Sequence, residues 1–353
     1  MEKFLCYGLY AAILVTSIAC SKPPLPGDGN LEAPSDSSAT APTDTIPPAE
    51  TNFYFGVNGH PVNQAAYMNI PPAEQIKLIK SMGMNIYRLD VNTNERGLIN
   101  MHDRYLALKE AADSAKVTLL PMLYPGNLDY NATEEVSYQV GYERGAAFAT
   151  NYQDDFIYYN IANELDTKCI LINKSGELMD HYDPIKFKII AARLKGMDDG
   201  IKSVDRDAKT MVNAGWMHYP YLLMLEEYGV NFDIVAYHWY NEMENLAFKT
   251  YNIADITQFL SQKFSKPIWF TEINIRNKTG TVNDKVQRDF LNSFLAKCQE
   301  NQQVQAAIIY ELFNQPVFQS LESHYGIFDW IKPYTKYVPK LWAKEVSYLH
   351  SQQ

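Results

Sequence analysis

Eight short apolar runs, each followed by a stretch of helical length, fill the chain from Thr51 almost to its end. They are FYFGVN (53–58), NIYRLDV (85–91), KVTLLPML (116–123), FIYYNIANELD (156–166), AKTMVNAGW (208–216), DIVAYHWY (233–240), KPIWFTEI (266–273) and QAAIIYELF (305–313). Between them lie helical patterns such as PPAEQIKLIKSMG, with prolines at its start, and VQRDFLNSFLAKCQE. Apolar runs of strand length alternating with helices indicate βαβ units and a parallel sheet. Eight units in about 300 residues are what an α/β fold of the (β/α)8 TIM-barrel type requires. The competing doubly wound sheet would carry a Gly-rich phosphate turn after its first strand, and FGVNGHPVNQ lacks the G-x-G-x-x-G spacing.

Two segments precede this body. Residues 1–20 run from Lys3 through an apolar stretch to SIAC, the pattern of a signal peptide rather than a spanning helix. SIAC resembles the bacterial lipobox, which implies lipidation of Cys20 and a place in the bacterial cell envelope, held to the membrane by the lipid alone. Ser17 departs from the usual Leu of that motif, and ordinary cleavage nearby is the other reading. Residues 21–50 are rich in Pro, Ser and Thr with almost no large apolar side chain, so a disordered linker is expected. Residues 51–353 then form one catalytic domain, expected to act as a monomer. Cys169 and Cys298 stand too far apart in sequence for a zinc or redox motif and are expected to be free thiols.

With 41 acidic against 31 basic residues the net charge is −10, and no Lys/Arg run marks a nucleic-acid groove. No nucleic-acid partner is expected. The seven histidines show no H-x-H at a strand end, so neither a metal nor an organic cofactor is implied.

Barrels of this kind carry their sites at the C-terminal strand ends. Polar residues that terminate apolar runs therefore converge on one mouth. Asn163-Glu164 ends the fourth run and Glu272 the seventh. Strict alternation puts Ile268, Phe270 and Glu272 on one face, directed at the barrel axis, with Trp269 and Thr271 on the other.

Asn-Glu after strand four with Glu after strand seven resembles the signature of the clan A glycoside hydrolases, and the similarity extends over residues 51 to about 345. The resemblance implies a retaining glycosidase cleaving β-linked sugars of an oligo- or polysaccharide. Glu164 would be the acid/base, Glu272 the nucleophile, and Asn163 a partner of the sugar 2-hydroxyl. Arg88 in YRLDV and the His238-x-Tyr240 pair in YHWY match further positions of the clan. Where the clan often has a Trp at strand eight, this chain has Tyr310, Glu311 or Phe313, which leaves the glycone sugar open.

The mechanism requires Glu164 to start protonated, favoured by a nearby negative charge and an apolar wall. Glu272 must be ionised, with Arg88 and Tyr240 placed to hold its charge. Trp216 and Trp239 are sugar platforms or core; Trp330 is a weaker platform. Asn58 and His60 line the glycone subsite or make a turn. Glu311 binds a hydroxyl or pairs with a base, and Asp166 caps the long excursion after strand four, which walls one side of the cleft. The alternative from another class is a glycan-binding lipoprotein that has kept the barrel and lost turnover.

Overall fold

The computed structural model describes residues 53–276, 284–316 and 321–352. The leader, Cys20 and the linker lie outside the described residues. Eight parallel strands close in chain order into one barrel: β1 Tyr54–Gly59, β2 Ile86–Val91, β3 Thr118–Leu123, β4 Tyr158–Asn160, β5 Lys209–Gly215, β6 Ile234–Tyr240, β7 Ile268–Asn274 and β8 Val304–Ile309. Each run expected to be a strand is one. The α/β (β/α)8 barrel is therefore the fold.

Helices pack around the strands. Pro72 starts Pro72–Ser81 and Pro184 starts Pro184–Val204, where a missing N–H leaves no helical bond unmade. Asp183 caps the latter by accepting from the backbone N–H groups of Ile185 and Lys186. After β8 the chain adds a hairpin that the sequence reading did not foresee, β9 Phe328–Lys332 with β10 Lys336–Pro339. Among the described residues no helix is long and apolar enough to cross a membrane. Cys169 and Cys298 are buried free thiols, as expected.

Two strands end differently from their sequence reading. β4 stops at Asn160, Ile161 N–H makes a last backbone bond to Met211 of β5, Ala162 and Asn163 lie beyond, and Glu164 follows at φ 47°. In β7 strict alternation fails. Trp269, not Ile268 or Phe270, faces the axis, packing with Ile86, Leu120, Met211 and Ala236. Phe270 faces outward, its ring 5.0 Å from Phe294 on a surrounding helix.

A register shift explains how Glu272 still reaches the mouth. Ala236 pairs with Trp269 and Tyr237 with Phe270, but His238 pairs with Glu272. One extra residue of β7 bulges there and turns the following side chains over. The expected direction of Glu272 is right; the expected companions are wrong.

Candidate active site

The axis-facing residues above the apolar plug are Asn58, Arg88, Asn160, Asn213, His238 and Glu272, all buried. Arg88 organises them. Its Nη1 donates to Glu272 Oε1 at 2.8 Å and to Asn58 Oδ1 at 2.6 Å. Its Nε donates to Asn160 Oδ1 at 3.0 Å and its Nη2 to Asn163 Oδ1 at 2.8 Å. A planar guanidinium with its donors so committed fixes a carboxylate and three amides in one geometry. Asn58 makes no turn: it also donates to the carbonyls of Thr271 and Ile309, bracing β7 and β8.

Glu272 has a second partner, Tyr240, whose OH donates to Oε2 at 2.9 Å. Burial and the neighbouring Glu272 and Glu164 charges push the Tyr240 phenol well up, so it keeps its proton and acts as donor.

Asn213 sets the tautomer of His238. Its Oδ1 accepts the backbone N–H of Glu164 at 2.8 Å, which turns Nδ2 toward His238 Nε2 at 3.0 Å. Nε2 is thus an acceptor and Nδ1 carries the proton. Nδ1–H donates to Glu164 Oε1 at 2.9 Å and stands 3.4 Å from Glu272 Oε2. One oxygen each of Glu164 and Glu272 and this nitrogen lie within 4.8 Å of one another. Three such atoms have the spacing of a cation site. Here, however, Nδ1 bears hydrogen and Glu272 already holds a guanidinium, so these atoms are engaged with one another and with Arg88.

Glu164 is not protonated at rest. Burial pushes its carboxyl up, but the hydrogen bond from His238 Nδ1–H, with the charges of Arg276 and Arg88, outweighs burial and holds it below the usual carboxylate range. The negative neighbour and the apolar wall expected from sequence are both present, in Glu272 and in Trp216, Met243 and Leu246, but Arg276 and Arg88 add cations that the sequence reading did not place beside Glu164.

A cavity of about 140 Å³ opens between these groups, lined by Arg88, Asn163, Glu164, Tyr240 and Glu272 on one side. His60, Asp90, Tyr124, Arg276, Tyr310 and Tyr325 line it as well. His60 Nδ1 donates to Asp90 at 2.6 Å, and its Nε2 stands 3.3 Å from Glu311. Burial lowers its pKa, but the two carboxylates outweigh that and raise it to about 10, making it an imidazolium. Asp90, which burial would raise, is instead lowered by His60. Glu311 is fully buried and pairs with His60, accepting also from Tyr67 and Gln315 at 2.6 and 2.7 Å.

Tyr310 and Tyr325 supply the aromatic wall at strand eight, their ring centroids 5.7 Å apart. Trp239 is core: it is 1% exposed and donates to Glu244 at 2.7 Å. It supports Trp216, which stacks on it at 6.1 Å and lines a second cavity. Trp330 sits on the hairpin, stacked on Phe313 at 5.0 Å, and lines neither cavity. Asp166 caps nothing; it accepts from His218 Nδ1 at 2.6 Å, tying the excursion to the end of β5.

Asp90, Asn213, Arg276 and Tyr325 were missed from sequence. Asp90 and Asn213 carried the signal already used for Arg88, a polar side chain facing inward near a strand end. Arg276 and Tyr325 lie beyond their strands, where periodicity says nothing.

Fold and site together define a (β/α)8 barrel with two carboxylates facing each other across its mouth. Residues 203–325 match the glycosyl hydrolase catalytic core family, a stretch that carries Asn213, His238, Tyr240, Glu272 and Tyr310. Among solved structures, the family 1 β-glucosidase from Thermotoga maritima has a TM-score of 0.62 at 13% identity, covering 85% of this chain and 98% of its own. The castanospermine complex of the β-glucosidase from Thermotoga maritima gives 0.61 at 13%, covering 85% and 97%. The β-glycosidase BGL167 gives 0.58 at 13%, covering 86% and 97%. At such identity the likeness is one of fold. No curated protein matches the sequence.

Proposed function

We propose that the protein is a retaining β-glycosidase that removes one neutral terminal sugar by double displacement. The observation that carries this is the approach of Glu164 and Glu272 oxygens to within 4.8 Å. Retaining enzymes hold their carboxyls about 5–5.5 Å apart, whereas inverting enzymes need about 6.5–9.5 Å to seat a water.

In the first step a Glu272 oxygen attacks the anomeric carbon, the bond to the leaving oxygen breaks, and Glu164 delivers a proton to that oxygen. In the second, water attacks the same carbon, its proton passes to Glu164, and the ester bond to Glu272 breaks. Arg88 and Tyr240 keep Glu272 ionised and aimed. Asn163 Oδ1 is engaged by Arg88 and by Asn213 at 3.1 Å, which leaves its Nδ2 as the group to offer a sugar hydroxyl.

The glycone cavity of about 140 Å³ is well below the roughly 300 Å³ at which pockets for drug-sized ligands begin, and suits one ring rather than a chain segment. That narrows the oligo- or polysaccharide expected from sequence to a chain end or a single glycosyl unit. The β-linkage rests on the β-glucosidases that share the fold.

Glu272→Ala is expected to lose turnover by at least about a thousandfold on every substrate. Glu164→Ala is expected to keep the first step on glycosides with good leaving groups and to regain turnover with azide, giving a glycosyl azide of retained configuration. Wild-type activity in the Glu272 variant, or an azide product of inverted configuration, contradicts the mechanism. A glycan binder without turnover would show no difference in either assay; the intact carboxylate pair argues against it.

A further inference from the structure

Glu164 belongs to two cavities. The polar one holds Glu272; the other, about 320 Å³, lies across the Glu164 carboxyl and is lined by Gly215, Trp216, Met243 and Leu246, with Arg276 shared between the two. Its ionic groups are engaged with one another: Asp166 with His218 at 2.6 Å, and Glu242 with Arg276 at 3.2 Å. Apart from the Thr167 hydroxyl, which donates to the Glu164 carbonyl, what it presents to an occupant is an indole, a thioether and an isobutyl group.

The indole is held in place. Trp216 stacks on Trp239 with planes 13° apart and meets the edge of Tyr251 at 6.0 Å. Its carbonyl accepts from Tyr237 OH at 2.5 Å, and Tyr251 OH donates to Glu177 of the excursion. Its backbone sits at φ 49°, a conformation that bulky side chains rarely adopt. Leu246 stands on the helix Asn241–Tyr251 with 52% of its surface exposed, at the rim.

An acid that protonates the leaving oxygen faces the scissile bond, so glycone and leaving group lie on its two sides. We propose that the second cavity is the leaving-group subsite and that it takes an apolar body, an aryl or alkyl alcohol, in preference to a further hydrophilic sugar. This rests on the retaining mechanism given above. A sugar ring offers hydroxyls that need partners, and an apolar wall leaves them unmade. An aromatic or alkyl body removes apolar surface from water without that cost.

Transfer from the glycosyl-enzyme tests the subsite. β-Glycosyl fluorides of neutral pyranoses load Glu272 with loss of fluoride, a leaving group too small to use the second cavity. An added alcohol then attacks the anomeric carbon in place of water, its proton passing to Glu164 and Glu272 leaving as carboxylate. At equal concentration, 2-phenylethanol is expected to capture the glycosyl group about tenfold better than glycerol or glucose. Leu246→Gln, at the exposed rim, and Trp216→Ala are each expected to reduce that ratio about three- to tenfold, with folding followed by circular dichroism. Fluoride turnover with glycerol or glucose as the better acceptor, or a ratio indifferent to both substitutions, overturns the subsite and leaves the hydrolase standing. If a folded protein consumes no fluoride donor, the hydrolase reading fails and the subsite falls with it.

Discussion

Glu164 is bound by its environment at both ends. Its backbone, at φ 47°, donates to the Asn213 side-chain Oδ1, and its carboxyl accepts from His238 Nδ1–H. A non-glycine residue in the left-handed region costs about 1–3 kcal/mol, which the surrounding hydrogen bonds must offset. The same contacts favour the carboxylate, so in the proposed mechanism the proton for the leaving group has to be acquired against them. A sugar that fills the cavity excludes water and adds to the burial that already pushes the carboxyl up. Arg276 is the opposing charge that can be changed with least damage to the fold, being 40% exposed at the mouth. Replacing it by Gln removes a cation that stabilises the carboxylate, which raises the Glu164 pKa and keeps the acid form to higher pH. In Arg276→Gln the basic limb of the kcat/KM profile is therefore expected to move up by about half to one pH unit. A profile that stays in place, or moves down, would mean that Arg276 does not act on Glu164.

Among the elements, the helices Glu134–Tyr152 and Pro184–Val204, which flank β4 in sequence, approach backbone to backbone. Gly141 and Gly145 on one face Gly196 and Gly200 on the other. A Cβ on Gly196 would stand 2.0 Å from the carbonyl oxygen of Tyr138, and one on Gly141 2.1 Å from that of Arg193. In an open helix Gly→Ala gains up to about 1 kcal/mol. Here the sign is expected to reverse: Gly196→Ala should lose about 1–3 kcal/mol by overpacking, read as a lower urea midpoint. A midpoint unchanged or raised would show that the helices separate freely. None of this is visible in the runs of apolar residues, because a glycine's use depends on which backbone approaches it. The same limit governed β7. Its apolar content made it a strand, but the direction of each side chain depended on a bulge set by pairing with β6. Arg88, Glu164, Glu272, His238 and Tyr240 were legible because residues that end or follow a buried strand reach the mouth whatever the register does lower down. Asn213, which fixes the tautomer of His238, is a neighbour's contribution that periodicity along one strand does not reveal.

For the whole molecule, the proposed glycosidase reading makes charge a filter on the sugars that can enter. The chain carries −10, and the lining of the glycone cavity includes Asp90, Glu164 and Glu272. Its cations are already engaged: Arg88 bonds four acceptor side chains, His60 lies between Asp90 and Glu311, and Arg276 pairs with Glu242. A carboxylate on the incoming ring would meet acidic walls without a free cation, and like charges brought together in such a site cost several kcal/mol. Neutral β-glycosides are therefore expected to be turned over with kcat/KM at least about a hundredfold above the matching β-glucuronides, a gap of about 2.7 kcal/mol. Because part of the repulsion is long-ranged, raising the ionic strength to about 0.5 M should narrow the gap by weakening rejection of the uronide, with little effect on the neutral substrate. The comparison uses one aryl leaving group throughout, so that the second cavity contributes equally to both substrates. A uronide turned over as fast as the neutral sugar would show that Arg276 leaves Glu242 to meet it, and the charge assignment of the mouth would have to be reversed.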